Sequence, residues 1–273
     1  MNNTELNECL WESARLTSKF LEKLPIKKIS GNALCYDQRK EDNVLNNFHI
    51  NKKCSPLVTL IADAEITRNS SKGNVIRNRS ENVCELYMNF LVKGDSSTHH
   101  TQFDGLKKLS VDKGIIKDFG VEGFNSLWLK DKYDFILMTK ELFYQYRWTT
   151  LNPTNFGDLK EPFIYLGIPI YFTDWIEDEF IPENIWQKCR QWLSTKVKWI
   201  KPCKANYSTV YLGKFDDGSM TKGISGIYGS ENILNVQSVG THPSKDADIY
   251  RIKGYLGLAV FNEDDIVKVR IKL

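Results

Sequence analysis

The sequence predicts an α+β protein, and three observations carry that reading. Apolar residues recur at spacings of three and four over residues 4–22 and 74–92, the period of amphipathic helices. The last residues alternate Val267, Val269, Ile271 and Leu273 with Lys268, Arg270 and Lys272, the period of a strand with one face covered. Helical and extended stretches are mixed along the chain with no internal repeat, which fits segregated rather than regularly alternating elements.

In the first helix Leu6, Leu10, Ala14, Thr17 and Leu21 form one narrow stripe, and Pro25 ends it. With polar residues on its other faces, this helix needs a covering surface, on its own subunit or a neighbour. Two extended runs follow, Ile26–Tyr36 and Pro56–Thr67, separated by the polar stretch QRKEDNVLNNFHINKK, which reads as an exposed loop. A ribbon of two strands is marginal in water and must lie on something else. In the second helix Ile76, Val83, Tyr87 and Phe90 share a face, and Gly94 and Asp95 close it.

After the polar loop STHHTQFDGLKKL, short helices are expected at Phe124–Lys130 and Lys140–Tyr146, on either side of a buried strand at Phe135–Met138. The run Phe163–Phe172 is a strand interrupted by Gly167 and Pro169, and proline there implies an edge or a bulge. Pro182 opens a helix with Ile185, Cys189, Trp192 and Leu193 inward. Strands return at Ser208–Phe215 and Ile249–Phe261.

Composition narrows the function. With 273 residues, 41% hydrophobic and 12% aromatic, the chain can bury a sizeable core. Its net charge of +3 and pI of 8.4 fall short of a dedicated nucleic-acid binder, for which a domain pI above about 9 is usual. No apolar run is long enough to span a bilayer, and the N-terminus MNNTELNECLWES has no basic or apolar leader, so a soluble protein made in the cytoplasm is expected. The six cysteines, Cys9, Cys35, Cys54, Cys84, Cys189 and Cys203, have no metal or redox spacing. They read as reduced and mostly buried thiols, with an inter-subunit disulfide as the alternative.

No constellation points to catalysis. Asp174, Glu177, Asp178 and Glu179 are too close in sequence to converge and read as a solvated corner, while His49, His99, His100 and His242 are too dispersed for a metal. The segment Gly223-Ile224-Ser225-Gly226 misses the spacing of a nucleophile elbow by one residue, and Ser219 and Ser230 stand beside glycines that suit turns. Neither a catalytic residue, nor a metal, nor a cofactor is expected. The most lopsided patch lies between Trp186 and Lys204, where Lys188, Arg190, Lys196, Lys198, Lys201 and Lys204 occur with no acid and with Trp192 and Trp199 interleaved. Such a stretch suits electrostatic contact with nucleic acid or, more simply, a solvated face over core tryptophans.

Several segments stand in a recognisable order. They are Leu24-Pro25-Ile26 with Gly31 to Tyr36, Val92-Lys93-Gly94-Asp95 with Phe103-Asp104-Gly105-Leu106, Asp134 to Met138, Leu166 to Ile170 with Thr173-Asp174-Trp175-Ile176, Ser208 to Phe215, and Tyr255 to Val260. Over residues 24–261 the chain thereby resembles the major capsid proteins of tailed bacteriophages with the Hong Kong 97 fold. The resemblance implies an N-terminal arm (1–23), an E-loop hairpin (24–68), a spine helix with the start of the peripheral domain (69–110), a mainly axial domain (111–240) and C-terminal strands returning through both (241–273).

It further implies a non-enzymatic subunit of an icosahedral head shell, self-assembled as pentamers and hexamers around viral double-stranded DNA. Such a subunit belongs to the virion, is made and assembled in the host cytoplasm, and contacts packaged DNA non-specifically, with no membrane partner. Scaffold, portal and cement or decoration proteins are the further partners. Because the arm begins near Met1, a separate scaffold or none is expected, and no lysine–asparagine pair for crosslinking is identifiable. The charged residues Lys27, Lys28, Arg39, Lys40, Glu41 and Asp42 are the candidates for inter-subunit pairing. The alternatives are an encapsulin-like compartment that packages protein, and a soluble nucleic-acid-binding module built on residues 186–204.

Overall fold

A computed structural model describes residues 3–42, 47–98, 102–116, 132–150, 163–165, 167–197 and 201–272, with side chains from residue 9 onward except at 39–49, 115–116 and 146–150. In chain order the elements are α1 (Asn3–Arg15), α2 (Lys19–Lys23), β1 (Ile26–Lys28), β2 (Ala33–Asp42), β3 (Asn47–Pro56), β4 (Val58–Thr67), α3 (Lys72–Lys93), α4 (Leu106–Leu109), β5 (Val111–Ile116), β6 (Phe135–Met138), α5 (Lys140–Thr150), β7 (Ile164–Tyr165), β8 (Ile168–Phe172), α6 (Ile185–Lys196), β9 (Tyr207–Gly213), β10 (Ile224–Tyr228), β11 (Leu234–Thr241), β12 (Ala247–Val260) and β13 (Ile266–Lys272). They form two compact units, Met1–Val111 with Gly213–Ile266, and Asp112–Leu212 with Val267–Leu273.

The first unit is organised on β12, whose 14 residues pair antiparallel with β10, β11 and β4. With β1 added in parallel to β10, the order is β1-β10-β12-β11, with β4 also on β12. The 22-residue α3 packs against β4 and β12. It buries Ile76, Ser80, Val83, Cys84, Tyr87, Met88, Leu91 and Val92, a stripe at spacings of three, four and one that marks one helix face. Tyr87 is fully buried and donates its hydroxyl to the Gly257 carbonyl at 2.8 Å. Gly226 makes room for that bond, since a Cβ there would stand 2.7 Å from Tyr87 Oη. Gly94 ends the helix as expected, its N–H donating to Phe90 O, and a Cβ would collide with Phe90 O at 2.6 Å.

The N-terminal segment departs from its expectation twice. It is two helices rather than one, because Thr17 and Ser18 turn the chain and Ser18 Oγ caps α2 by accepting the Leu21 N–H. It is also not a free arm. Leu10, Trp11, Ala14, Phe20, Leu21 and Leu24 are all buried in the first unit, Phe20 beside Phe215 at 5.7 Å between ring centroids. The stripe that needed a cover finds it on its own subunit.

The second unit holds a sheet ordered β5-β13-β9-β6-β8-β7. Its middle strands β9 and β6 are buried at every position, and accordingly carry apolar side chains on both faces. The expected break in 163–172 falls at Gly167, whose φ of 85° lies in the left-handed region. The strand after it is not an edge, however, since β8 lies between β6 and β7. Pro169 is tolerated because pairing with β6 begins only at Ile170, so no bond to β6 is lost at the proline. On the polar face of β13, Lys268 and Arg270 are largely covered while Lys272 at its end is exposed. Arg270 donates from Nε to Glu179 at 2.7 Å and from Nη1 to Asp112 at 2.9 Å, and Lys268 Nζ lies 3.6 Å from Glu179. Burial works against the charge of Asp112, but the Gly114 N–H and Arg270 hold its carboxyl below the usual carboxylate range. The helix expected at Phe124–Lys130 lies outside the described residues.

Removing residues 1–23 strips Trp11, Phe20 and Leu21 from this core, and a single buried tryptophan is worth about 3–5 kcal/mol on truncation to alanine. The deletion is expected to abolish the cooperative thermal transition of the first unit by circular dichroism. A truncated chain that melts like the full one would mean the segment is dispensable for folding.

Candidate assembly hairpin

Strands β2 and β3 pair along ten positions, from Ala33 opposite Pro56 to Asp42 opposite Asn47. They form a two-stranded sheet of their own. Residues 38–42 and 47–53 of the stretch expected to be a loop are therefore in the ladder. Its polarity suits a ribbon that forms a sheet of its own, where few positions demand apolar alternation.

The ribbon is held at its root. Alternation puts Leu34, Tyr36 and Gln38 on one side with Ser55, and there Tyr36, Gln38 and Ser55 are buried while Cys35, Asp37, Lys52 and Cys54 on the other side are exposed. Tyr36 lies edge-on against Phe261 at 5.0 Å, in a cluster with Ile227 and Ala259 backed by Ile29, Leu34 and Leu57. Its hydroxyl accepts the Val260 N–H at 3.0 Å and stands 3.3 Å from Ser55 Oγ, while Gln38 Nε2 donates to the Val260 carbonyl at 2.8 Å. Both polar backbone groups of Val260, the last residue of β12, are thus satisfied by hairpin side chains. Burial pushes the Tyr36 phenol above its ordinary pKa and the Lys53 ammonium, opposite Tyr36 in the ladder, below its own.

Cys35 and Cys54 stand directly opposite each other, Cα atoms 4.0 Å apart, and form a disulfide across the root. This corrects the expectation of six reduced, mostly buried thiols. Among the other cysteines Cys84 alone is buried, its thiol pushed up to about 12 mainly by burial, whereas Cys9 and Cys189 are exposed and Cys203 is half-buried.

The residues proposed for inter-subunit pairing divide. Lys27 is engaged within its own unit, ion-paired with the buried Asp216, donating to Gly218 O at 3.1 Å and lying 5.6 Å from the Phe261 ring centroid. Lys28 is exposed and donates to Glu231 O at 3.4 Å. Arg39, Lys40, Glu41 and Asp42 lie on the distal half of β2, in register with Ile50, His49, Phe48 and Asn47, and their side chains lie outside the described residues. Of the basic patch, Lys188, Arg190 and Lys196 are exposed on α6, Lys201 and Lys204 are exposed after it, and Lys198 lies outside the described residues.

Candidate chemistry elsewhere is absorbed by structure. Ser225 is buried in β10, its hydroxyl donating to Pro25 O at 3.0 Å. Within the acidic corner Asp174, Glu177 and Asp178 are exposed, whereas Glu179 turns in to Arg270. Among the described residues no group of three or more His, Cys, Asp or Glu side chains is placed to hold a metal, and no helix is long and apolar enough to cross a membrane.

No protein-family model matches the sequence, and no characterised relative is recognisable from it. The fold is shared with solved shell proteins. A holo-SrpI encapsulin complex from Synechococcus elongatus is similar over 92% of this chain and 85% of its own, with a TM-score of 0.61 at 14% identity. A virus-like particle from Pyrococcus furiosus is similar over 98% of this chain and 100% of its own, with a TM-score of 0.56 at 13% identity. The capsid of a native GTA particle computed with C5 symmetry is similar over 96% of this chain and 90% of its own, with a TM-score of 0.58 at 13% identity. The chain has the mixed helix-and-sheet fold of capsid and encapsulin shell subunits. That is the Hong Kong 97-type fold which its short segments resemble.

Sequence reasoning missed Gln38, Ser55 and the Cys35–Cys54 pair as the hairpin's fastening. The signal was present in the near-equal distances of Cys35 and Cys54 from the Asn-rich centre of the polar stretch, once that stretch is taken as a hairpin. In denaturant without reductant, alkylation is expected to modify four cysteines, and all six after reduction, as counted by intact mass. Six modified without reduction would show the hairpin root unlinked.

Proposed function

We propose that this chain is the repeating, non-enzymatic subunit of a closed protein shell, a capsid protein that self-associates into rings of five and six. The observation that carries the reading is the ribbon β2–β3, which among the described residues pairs in a sheet of its own beyond a clamped root, on a fold shared with shell proteins. A ribbon of this kind is marginal alone and is completed by lying on a second copy. Repetition by symmetry then turns many modest contacts into a strong lattice.

Within this reading the residues of the distal hairpin, Arg39, Lys40, Glu41 and Asp42, and the exposed Lys28 supply inter-subunit charge pairing. Lys27 no longer belongs with them, being engaged by Asp216. The contents of the shell are viral double-stranded DNA, met non-specifically by the basic residues that follow α6, Lys198, Lys201 and Lys204, and the assembled form is a virion head. Scaffold, portal and cement proteins are the partners such a head requires. A protein-filled compartment is the second reading, favoured by the 0.61 TM-score with the encapsulin complex.

Negative-stain microscopy with sedimentation on the purified protein is expected to show capsomer rings or closed shells. Nuclease-protected DNA inside them supports the viral head, and a stoichiometric co-purifying protein supports the compartment. A strict monomer at every protein and salt concentration, with and without a co-expressed scaffold, would overturn shell building itself.

A further inference from the structure

Helix α6 is folded with its apolar side outward. Its half-buried positions are Gln187, Gln191 and Ser194, spaced by four and three and therefore one stripe. These polar groups make its contacts. Gln191 Oε1 accepts the Cys203 N–H at 3.0 Å, Gln187 Oε1 accepts the Glu183 N–H at 2.8 Å, and Asn184 caps the helix by accepting the Gln187 N–H at 2.9 Å. Ile185, Trp186, Cys189, Trp192 and Leu193 are exposed instead, Trp186 at 81% and Ile185 at 72%. At about 100° per residue they lie around the side opposite the polar stripe. This reverses the sequence expectation that placed Ile185, Cys189, Trp192 and Leu193 inward. The helix buries no residue at all.

Two exposed tryptophans among aliphatic neighbours, flanked by cations, have the anatomy of a protein interface, with an aromatic centre and a charged rim. The rim consists of Lys188 and Arg190 on the two flanks and Lys196 at the C-terminal end. Nucleic acid is the poorer fit, because Ile185, Cys189 and Leu193 offer nothing to phosphates or base faces and occupy the middle of the surface.

We infer that the outward apolar face of α6 is the seat of a second copy of this chain, joined head-to-tail around a ring. The inference rests on the shell-subunit reading and names the contact that closes its rings. A head-to-tail ring needs two different, complementary surfaces on every copy. The second unit carries both signs. One surface is α6 with its basic rim, and the other is the turn at 174–178 with the exposed carboxylates Asp174, Glu177 and Asp178. The acidic turn of one copy meets the basic rim of the next, and the tryptophans fill the contact between them.

Cys189 sits in the middle of the apolar face and reports on it directly. Wild-type protein is labelled with a maleimide as isolated subunits and as assembled rings or shells, and Cys189 is read by peptide mass mapping. Loss of Cys189 labelling on assembly, unchanged by nuclease, is the expected result. Trp186→Glu and Trp192→Glu are expected to melt like wild type, since neither side chain is buried, and to remain monomeric under conditions where wild type assembles. Shells that form with Cys189 as reactive as in free subunits overturn this inference and leave the shell reading standing. Protection that vanishes with nuclease assigns the face to nucleic acid, and protection already complete in the isolated subunit means the chain covers α6 itself; each overturns the inference. Wild type that never assembles overturns it together with the reading on which it rests.

Discussion

A two-stranded ribbon has no interior, so what orders β2–β3 is the pair of hydrogen bonds that Tyr36 and Gln38 make with the backbone of Val260. Each sits in a dry setting, where a donor or acceptor left unpaired costs about 1–3 kcal/mol. The two bonds therefore fix the ribbon's register against β12 as well as its attachment. The Phe261 ring beneath Tyr36 and the Cys35–Cys54 link on the open side close the root from both faces. Past Gln38 the ladder continues through Asp42 with no other strand beside it among the described residues.

The same strand that anchors the ribbon organises its unit. β12 receives β4, β10 and β11, and its Gly257 carbonyl accepts the Tyr87 hydroxyl from α3. Val260, at its end, receives the hairpin. Force applied to the ribbon in an assembly is thus delivered to the most extensively paired strand of the unit rather than to a loop. The N-terminal helices belong to this rigid part, with Trp11 and Phe20 buried in it. In a shell built as proposed, the ribbon and α6 carry the contacts between copies, and the N-terminal helices keep the subunit folded.

Much of this is legible in the sequence, and the failures have physical causes. The helix at Lys72–Lys93 and the strand β13 are readable from one dominant period, and β6, β9 and β12 from runs rich in aliphatic, aromatic and β-branched residues. The polar stretch from Gln38 to Lys53 reads as a loop because pattern reports apolar burial, and Gln38, which the root buries, is polar. Cys35 and Cys54 escape notice for the same reason, since their pairing follows only from the ladder. The apolar stripe of Leu10 and Ala14 is covered within its own subunit while Trp192 turns outward, because periodicity tells which residues share a face but not whether the cover comes from the same chain. In α6 the polar stripe Gln187, Gln191 and Ser194 is as periodic as the apolar one, and its bonds to Glu183 and Cys203 decide the orientation.

A ribbon anchored in one subunit and completed by another must behave differently at its two ends. Hydrogen exchange of the backbone amides in β2 and β3, followed by mass spectrometry on isolated subunits and on assembled particles, reads both ends at once. Amides near Tyr36 and Ser55 are expected to be protected in both states, while those toward Asp42 and Asn47 exchange fast in the isolated subunit and become protected on assembly. Fast exchange of the distal ladder in assembled particles would contradict completion by a second copy.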